Sequence, residues 1–414
     1  MKIELDVPLQ FKGIVTVQAH SPSGELLHEE IQDNLIVNSG FAALASNVKI
    51  GDTLTNACIL GRDNTPPSAV DNWYTPHGFV RGLTQKVCEQ EFAGDSYCPF
   101  PQERSIVAVS ENNGGTNDVY DRVDPDEAPY WWRLTRKRIF TYHNDYFKGG
   151  GLSLTNSGIN GNQVNDWFDE GWTILPKEAS YIAEVGWCAA ADLLIPWGYC
   201  WIPAPPPGHE EAFTVPGWLG TNLWNRVVLE QRIGYEVTPP YTAWAVPDVV
   251  LAQDAIITVT LELRIHLTTD TTTQVIDVDG VPTTCRTRVI KRWEYGVWAE
   301  GVLRNFGWWR GDSRCAVVGE SNTLPGTTSY YEGSDISSAS GGASGTFFKV
   351  LKYKINAGIG NFATGVGGLA YGNFSNVTLT RDQCFVTVFN PKIPKTTLDR
   401  LEIHIRWTWG QWSP

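Results

Sequence analysis

The chain has 414 residues and a formal net charge of −13 at pH 7, and hydrophobic residues make up 42% of it. This hydrophobic fraction excludes a disordered chain, the length predicts two or three domains, and the acidic balance argues against nucleic acid as a partner. No stretch approaches the roughly 20 apolar residues that span a bilayer, and the first residues lack the pattern of a secretory signal, so we expect no membrane insertion.

The first predicted elements are a strand at Gly13 to Ala19 and a short helix at 39–46. Asn38 or Ser39 can cap the free amides of this helix, and an apolar stripe follows. It is the only well-supported helix in the sequence. The leading segment, Met1 to Lys12, is available as an extended arm that docks on a neighbouring subunit.

Two charged segments follow, and neither has a specific binding pattern. The loop Asp121 to Glu127 holds four carboxylates, and oxygen ligands suit calcium, but the spacing of calcium loops is absent. A solvated acidic loop is therefore preferred, with calcium binding as the alternative. Arg136-Lys137-Arg138 lies on a predicted strand, Trp131 to Tyr142. Alternation sends Lys137 to the opposite face, so we expect a solvated strand, or salt bridges to an acidic neighbouring subunit.

The proline-rich segment at 202–209 predicts a stiff connector. We place the boundary there, between an N-terminal β module with its arm and helix at 1–201 and a C-terminal β-sandwich module at 209–414. In the second module, strict alternation of apolar and polar residues at Ile257 to Leu267 predicts a strand with one solvated face. Asp279-Gly280 between β-rich flanks predicts a tight hairpin.

A glycine- and serine-rich segment at Ser334 to Gly345 predicts a flexible loop that orders only against a neighbouring subunit. Further strands are predicted at Arg226 to Val237, Arg286 to Trp293, Phe347 to Ile355, Val377 to Phe389 and Leu401 to Trp409. Short strands separated by frequent turns are typical of β-sandwiches. The fold class is therefore mainly β, with two β-sandwich-like modules, one short N-terminal helix and long loops.

The sequence predicts no catalytic, cofactor-binding or metal-binding residue. It contains no Gly-x-Ser-x-Gly turn for a nucleophile, and its seven histidines lack the spacing that converges on a transition metal. A glycosidase would need two carboxylates flanking a sugar cleft, which composition alone does not identify. We expect no enzyme, and we expect the eight cysteines to be mostly buried free thiols.

Tryptophan is abundant, with 18 residues, and several occur in clusters. Rigid indole rings are frequent anchors of protein interfaces, and they also stack on sugar rings. Ordinary core positions are the alternative for each of them. The candidate interface residues of a homo-oligomer are Trp131, Trp132, Trp308, Trp309, Trp407, Trp409 and Trp412.

One ordered series of motifs stands out. A segment from Gly24 to Leu44 contains Asn34-Leu-Ile and leads into the helix, and Leu60-Gly-Arg-Asp-Asn-Thr-Pro-Pro-Ser-Ala-Val-Asp71 follows it. Farther along are Ile182-Ala-Glu-Val-Gly186 and Asn222-Leu-Trp-Asn-Arg226. In composition and order these motifs resemble those of a group of minor structural proteins of tailed bacteriophages, over roughly residues 13–75 and 130–265.

The resemblance implies a virion component of a tail, collar, baseplate or fibre-attachment site, and it implies no catalytic residues. The expected partners are copies of the chain and other virion proteins, and the expected location is the virion, assembled in the cytoplasm of a host bacterium. A carbohydrate-binding adhesin that recognises a host surface glycan stays open as the alternative, followed by a glycan-degrading enzyme as the less favoured one.

Overall fold

The computed structural model is mostly β, with one short helix among the residues that it describes. These are residues 1–45, 50, 54–55, 57–61, 64, 66–71, 91–92, 95–96, 106–110, 118–122, 131–143, 146–149, 181–188, 223–234, 247–266, 271–289, 314–320, 330–341, 347–359, 361–373 and 383–412. Within these ranges, no helix is long and apolar enough to cross a membrane.

The helix α1 is Asn38–Ala45. The strands, in chain order, are β1 Lys2–His20, β2 Leu26–Ile36, β3 Ala57–Gly61, β4 Glu91–Phe92, β5 Asp95–Ser96, β6 Ile106–Ser110, β7 Asp118–Arg122, β8 Trp131–His143, β9 Tyr146–Gly149, β10 Tyr181–Cys188, β11 Leu223–Gly234, β12 Val249–Val250, β13 Ile256–His266, β14 Thr271–Val278, β15 Val281–Val289, β16 Arg314–Gly319, β17 Tyr330–Gly341, β18 Phe347–Ile355, β19 Val366–Asn373, β20 Gln383–Ile393 and β21 Leu401–Gln411.

Strand pairing divides most of the chain into two groups. The first strand group runs in the order β6, β3, β10, β11, β2, β1, β13 and β8, with β7 and β9 both on the outer side of β8. The second strand group runs β14, β15, β20, β19, β16, β17, β18, β21 and again β1. Both groups therefore contain β1.

The long strand β1 joins the two groups by its two halves. Residues 2–11 pair in parallel with β21 in the second group, whereas residues 10–20 pair antiparallel with β13 in the first. Side chains alternate along the whole strand, and Ile3, Leu5, Val15 and Val17 are each at most 1% exposed. One face of β1 therefore contributes to the hydrophobic core along both halves.

Several sequence predictions are confirmed. The helix at 39–46 is found at Asn38–Ala45. The alternating strand is β13, whose Ile257, Leu261 and Leu263 are fully buried, but its polar face is not solvated as predicted, since no residue of β13 is exposed. The Asp-Gly hairpin connects β14 to β15, with positive φ angles of 50° at Asp279 and 84° at Gly280, as the tight turn requires.

Three expectations need correction. The arm at Met1 to Lys12 is not a free extension, because its alternating apolar residues complete the second strand group of the same chain. The segment at Ser334 to Gly345 is a strand over most of its length, since β17 pairs with β16 and β18 through its backbone. The strand groups also do not follow the division into 1–201 and 209–414, because β13 pairs with β1 and β8. The connector at 202–209 lies outside the described residues.

The shared strand generates a prediction. Replacing Leu5, which is 1% exposed, with alanine should lower the free energy of unfolding by about 2–5 kcal/mol, because a cavity opens where β1 packs in the second strand group. Its neighbour Glu4, whose side chain is 65% exposed, provides the control, and Glu4→Ala should change it by less than about 0.5 kcal/mol. Chemical denaturation followed by circular dichroism measures both. Equal effects would show that the first half of β1 does not pack into the core.

Candidate functional site

The motifs singled out in the sequence meet at one buried ion cluster, formed by Asp71, Glu184 and Arg226. Glu184 lies on β10 and Arg226 on the adjacent strand β11. Arg226 Nε donates to Glu184 Oε2 at 2.7 Å, and Arg226 Nη1 donates to Asp71 Oδ2 at 3.0 Å. One guanidinium therefore binds carboxylates from two different parts of the chain.

All three side chains of the ion cluster are inaccessible to solvent, with exposures of 0% for Arg226 and Glu184 and 1% for Asp71. Burial by itself would lower the pKa of Arg226, but the two carboxylates outweigh burial and raise this pKa above its ordinary value. The guanidinium therefore stays charged, and its charge compensates carboxylates that would otherwise be costly to bury.

Two glycines of the same motifs allow elements to approach closely at this place. A Cβ atom at Gly61, on β3, would overlap Oε1 of Glu184. A Cβ atom at Gly40, in α1, would lie 2.8 Å from the carbonyl oxygen of Trp224. Any side chain at either position would push α1 or Glu184 away from its partners.

Backbone hydrogen bonds connect the start of α1 to the ion cluster. Asn38 N donates to Ala69 O at 2.7 Å, and Val37 N donates to Trp224 O at 3.0 Å. The hydroxyl of Ser39 donates to Leu223 O at 3.0 Å and so ties the start of the helix to β11. Segments that are distant in sequence, at 37–41, 61, 69–71, 184 and 223–226, are thus held in one arrangement.

Helix α1 also contacts the second strand group. Trp409 Nε1 donates to Phe41 O at 3.1 Å, and the buried Lys349 Nζ donates to Ala45 O at 2.8 Å. The ring of Phe41 packs between those of Trp224 and Phe347, with centroid distances of 5.8 and 5.2 Å. The helix is therefore a junction between the two strand groups.

Among the interface candidates, the tryptophans whose side chains the structure describes are buried or half-buried within the subunit. Trp407 is 3% exposed and Trp409 is 5% exposed, so both rings belong to the core of the subunit. Trp412 is half-buried, and Lys12 Nζ lies 5.1 Å from its ring centroid. The structure does not describe the side chains of Trp131 and Trp132, nor any part of Trp308 and Trp309. The interface role of these four residues stays a prediction.

The basic run on β8 differs from expectation in one respect. Alternation does send Lys137 to the exposed face, as predicted. Arg136 and Arg138, however, are each only 2% exposed, so they are neither solvated nor available to a neighbouring subunit. Arg136 Nε donates to the hydroxyl of Thr55 at 3.2 Å, and the guanidinium of Arg138 lies 5.3 Å from the ring centroid of Trp187.

Among the described residues, no group of three or more His, Cys, Asp or Glu side chains is arranged to hold a metal ion. Asp121 lies on β7, opposite Arg133, and the rest of the acidic loop to Glu127 lies almost entirely outside the described ranges. Cys58 and Cys285 are buried free thiols, as expected. Burial raises the pKa of both, to about 12 for Cys285.

The ion cluster can fix positions, but its residues cannot contact a substrate, because their charged atoms are buried and face one another. All three residues lie within motifs that stand out in the sequence, but their pairing was not predicted. An available signal was the ionisable residue in each buried strand: Glu184 within Ile-Ala-Glu-Val-Gly and Arg226 within Leu-Trp-Asn-Arg-Val-Val. An unpaired charge is rarely buried, so two such strands with opposite charges indicate partners.

Comparison of the chain with models of known protein families, with curated proteins and with solved structures finds no match.

The buried arginine generates a second prediction. Arg226→Met should lower the free energy of unfolding by about 3–5 kcal/mol, because two carboxylates lose the cation that compensates their burial. Arg232, on the same strand, is a matched control: it pairs with Asp248 at the surface, where the two side chains are 34% and 43% exposed. Arg232→Met should cost less than about 1 kcal/mol. Denaturant titration of both variants measures the difference, and equal losses would contradict the assigned role of the ion cluster.

The close approach at Gly61 generates a third prediction. Gly61→Ala should destabilise the chain by about 1–3 kcal/mol, because the new methyl group overlaps the Glu184 carboxylate. At Gly410 a Cβ atom would meet nothing within 4 Å, so Gly410→Ala should be tolerated. Thermal unfolding of the two variants separates these outcomes. An unchanged midpoint for Gly61→Ala would mean that Glu184 has another position available.

Proposed function

We propose that the chain is a structural component of a tailed-bacteriophage virion, in the tail, collar, baseplate or fibre-attachment region, and that it acts by assembly rather than by catalysis. The observation that carries this proposal is the convergence of the phage-like motifs. Gly61, Asp71, Glu184 and Arg226 come from three separate motifs and lie in one buried contact. Motifs that share one interior site are better explained by a common fold than by chance similarity.

The extent of the resemblance supports the same proposal. It covers roughly residues 13–75 and 130–265, and the first strand group takes its described residues from 10–61 and 106–266. The motif loop ending at Asp71 is attached to this group through Arg226. The resemblance thus follows a unit of the fold.

The described architecture suits a particle component. A particle holds its copies in fixed orientation, which requires subunits that do not bend internally. Here β1 runs through both strand groups without interruption, and α1 contacts both. We infer that the partners are copies of the chain and other virion proteins, and that the chain enters the virion in the cytoplasm of its bacterial host.

The location in a particle is directly testable. Antibodies raised against the exposed β14–β15 hairpin should label purified phage particles from the lysate in which the chain is produced. Negative-stain electron microscopy with gold-conjugated antibody should place the label on the tail or its junction with the head. Pre-incubation of the antibody with purified chain is the control and should abolish labelling. If the chain is produced but mass spectrometry of purified particles detects none of it, the proposal is wrong.

A further inference from the structure

The tip of the β14–β15 hairpin carries the only Asp-Gly pair in the sequence, Asp279-Gly280. In such a pair the backbone nitrogen of the glycine can attack the side-chain carboxyl group of the aspartate, because glycine has no side chain that obstructs the approach. Asp279 and Gly280 are both exposed, so water reaches the reacting atoms. The hairpin tip is therefore a candidate site of spontaneous backbone modification.

The modification requires no reactant other than water. The nitrogen of Gly280 loses its proton and forms a bond to Cγ of Asp279, and the carboxyl group loses an oxygen as water, which closes a succinimide ring. Hydrolysis of the ring takes up water and breaks either C–N bond. Breaking the bond to Cγ restores aspartate, whereas breaking the bond to the backbone carbonyl carbon gives isoaspartate, in which the main chain runs through the side chain.

Isoaspartate at this position would disrupt the hairpin. Only Asp279 and Gly280 connect the paired residues Val278 and Val281, and their φ angles of 50° and 84° are those of a type I′ turn. Isoaspartate adds a methylene group to the main chain, and a two-residue turn of this type has no place for an extra backbone atom. The pairing of β14 with β15 next to the tip therefore depends on an unmodified Asp279.

Two features of the hairpin oppose the reaction. In a type I′ turn the ψ angle of the first central residue is about +30°, which points the nitrogen of Gly280 away from the side chain of Asp279. Ring closure therefore requires rotation about the Cα–C bond of Asp279, against the pairing of Val278 with Val281. The attacking nitrogen is also engaged, because Gly280 N donates to Asp277 Oδ1 at 2.8 Å, and a hydrogen bond to a carboxylate is stronger than one to a neutral acceptor.

We propose that Asp277 protects the Asp279-Gly280 peptide from conversion to isoaspartate, by holding the nitrogen of Gly280 in a position from which it does not reach Asp279 Cγ. Asp277 is exposed, so its side chain adds nothing to the hydrophobic core. Its carboxylate acts instead as a positioning group for the peptide that would react. This role goes beyond the proposed function and does not depend on it.

Prolonged incubation of the full chain at physiological temperature and pH, followed by peptide mapping, tests this role. Electron-based fragmentation in a mass spectrometer distinguishes isoaspartate from aspartate at position 279. The folded wild type should accumulate isoaspartate at least about tenfold more slowly than the same chain unfolded in guanidinium chloride, because the turn must first open locally. Asp277→Ala should raise the rate in the folded chain at least about threefold, because the nitrogen of Gly280 loses its acceptor.

Two further variants identify the cause of any acceleration. Asp277→Asn keeps an oxygen acceptor, so its rate should lie closer to that of the wild type than to that of Asp277→Ala. Thr273→Ala removes another exposed side chain of β14 and should leave the wild-type rate unchanged. Circular dichroism checks that each variant is folded. Equal rates in the folded and unfolded wild type, an Asp277→Ala rate equal to that of the wild type, an Asp277→Asn rate equal to that of Asp277→Ala, or the same acceleration in Thr273→Ala would each overturn the proposal.

Discussion

The architecture depends on one continuous strand that belongs to two sheets at once. β1 pairs with β21 through residues 2–11 and with β13 through residues 10–20, so the two strand groups cannot rotate relative to one another without breaking backbone hydrogen bonds in at least one of them. Phe11 lies where the two pairings overlap, is fully buried, and packs against the rings of Phe41 and Trp224 at 5.8 and 5.9 Å. The point at which the strand passes from one group to the other is therefore a packed aromatic contact rather than a hinge. A parallel pairing between the first and last strands of the described chain is also non-local, and the entropy lost on closing so long a loop must be recovered from burial of the alternating apolar residues of β1.

The ion cluster is a second constraint of a different kind. Taking three charged side chains out of water is costly, and apolar residues of similar volume would often stabilise a core as well. What charges add is directionality: Arg226 presents donors in a planar fork, so Glu184 and Asp71 must approach from set directions. Apolar packing alone would allow the segment ending at Asp71 to slide along the sheet. Gly61 leaves room for the Glu184 carboxylate. The motifs therefore combine close backbone approach with oriented charge, and losing either one would disrupt the arrangement of the ion cluster.

Local patterns predicted local structure well and contacts between distant residues poorly. Strict alternation at Ile257 to Leu267 and the Asp279-Gly280 dipeptide were sufficient for β13 and the hairpin, because side-chain period and positive φ are decided within a few residues. The first half of β1 carried the same alternation at Ile3, Leu5, Val7 and Leu9, but which surface would cover those side chains depended on a strand about 400 positions away. Arg136 and Arg138 were predicted to be solvated for a similar reason. Their charges are visible in the local sequence, whereas their partners, the hydroxyl of Thr55 and the ring of Trp187, come from distant parts of the chain. The three residues of the ion cluster lie in separate segments of the sequence, and only the three-dimensional arrangement shows that they are partners.

Several tryptophans contribute to the interior of the subunit rather than to its surface. Trp187 and Trp224 are fully buried, and Trp407 and Trp409 are nearly so, so at least part of the unusual indole content rigidifies the subunit itself. Large flat rings in a core leave few alternative packings, because a small shift of one ring displaces its neighbours. Trp409 adds a hydrogen bond to Phe41 O, which fixes its orientation as well as its position. A subunit made rigid in this way does not need aromatic anchors at every contact with a neighbour, because a surface that is already held in shape loses little entropy on docking.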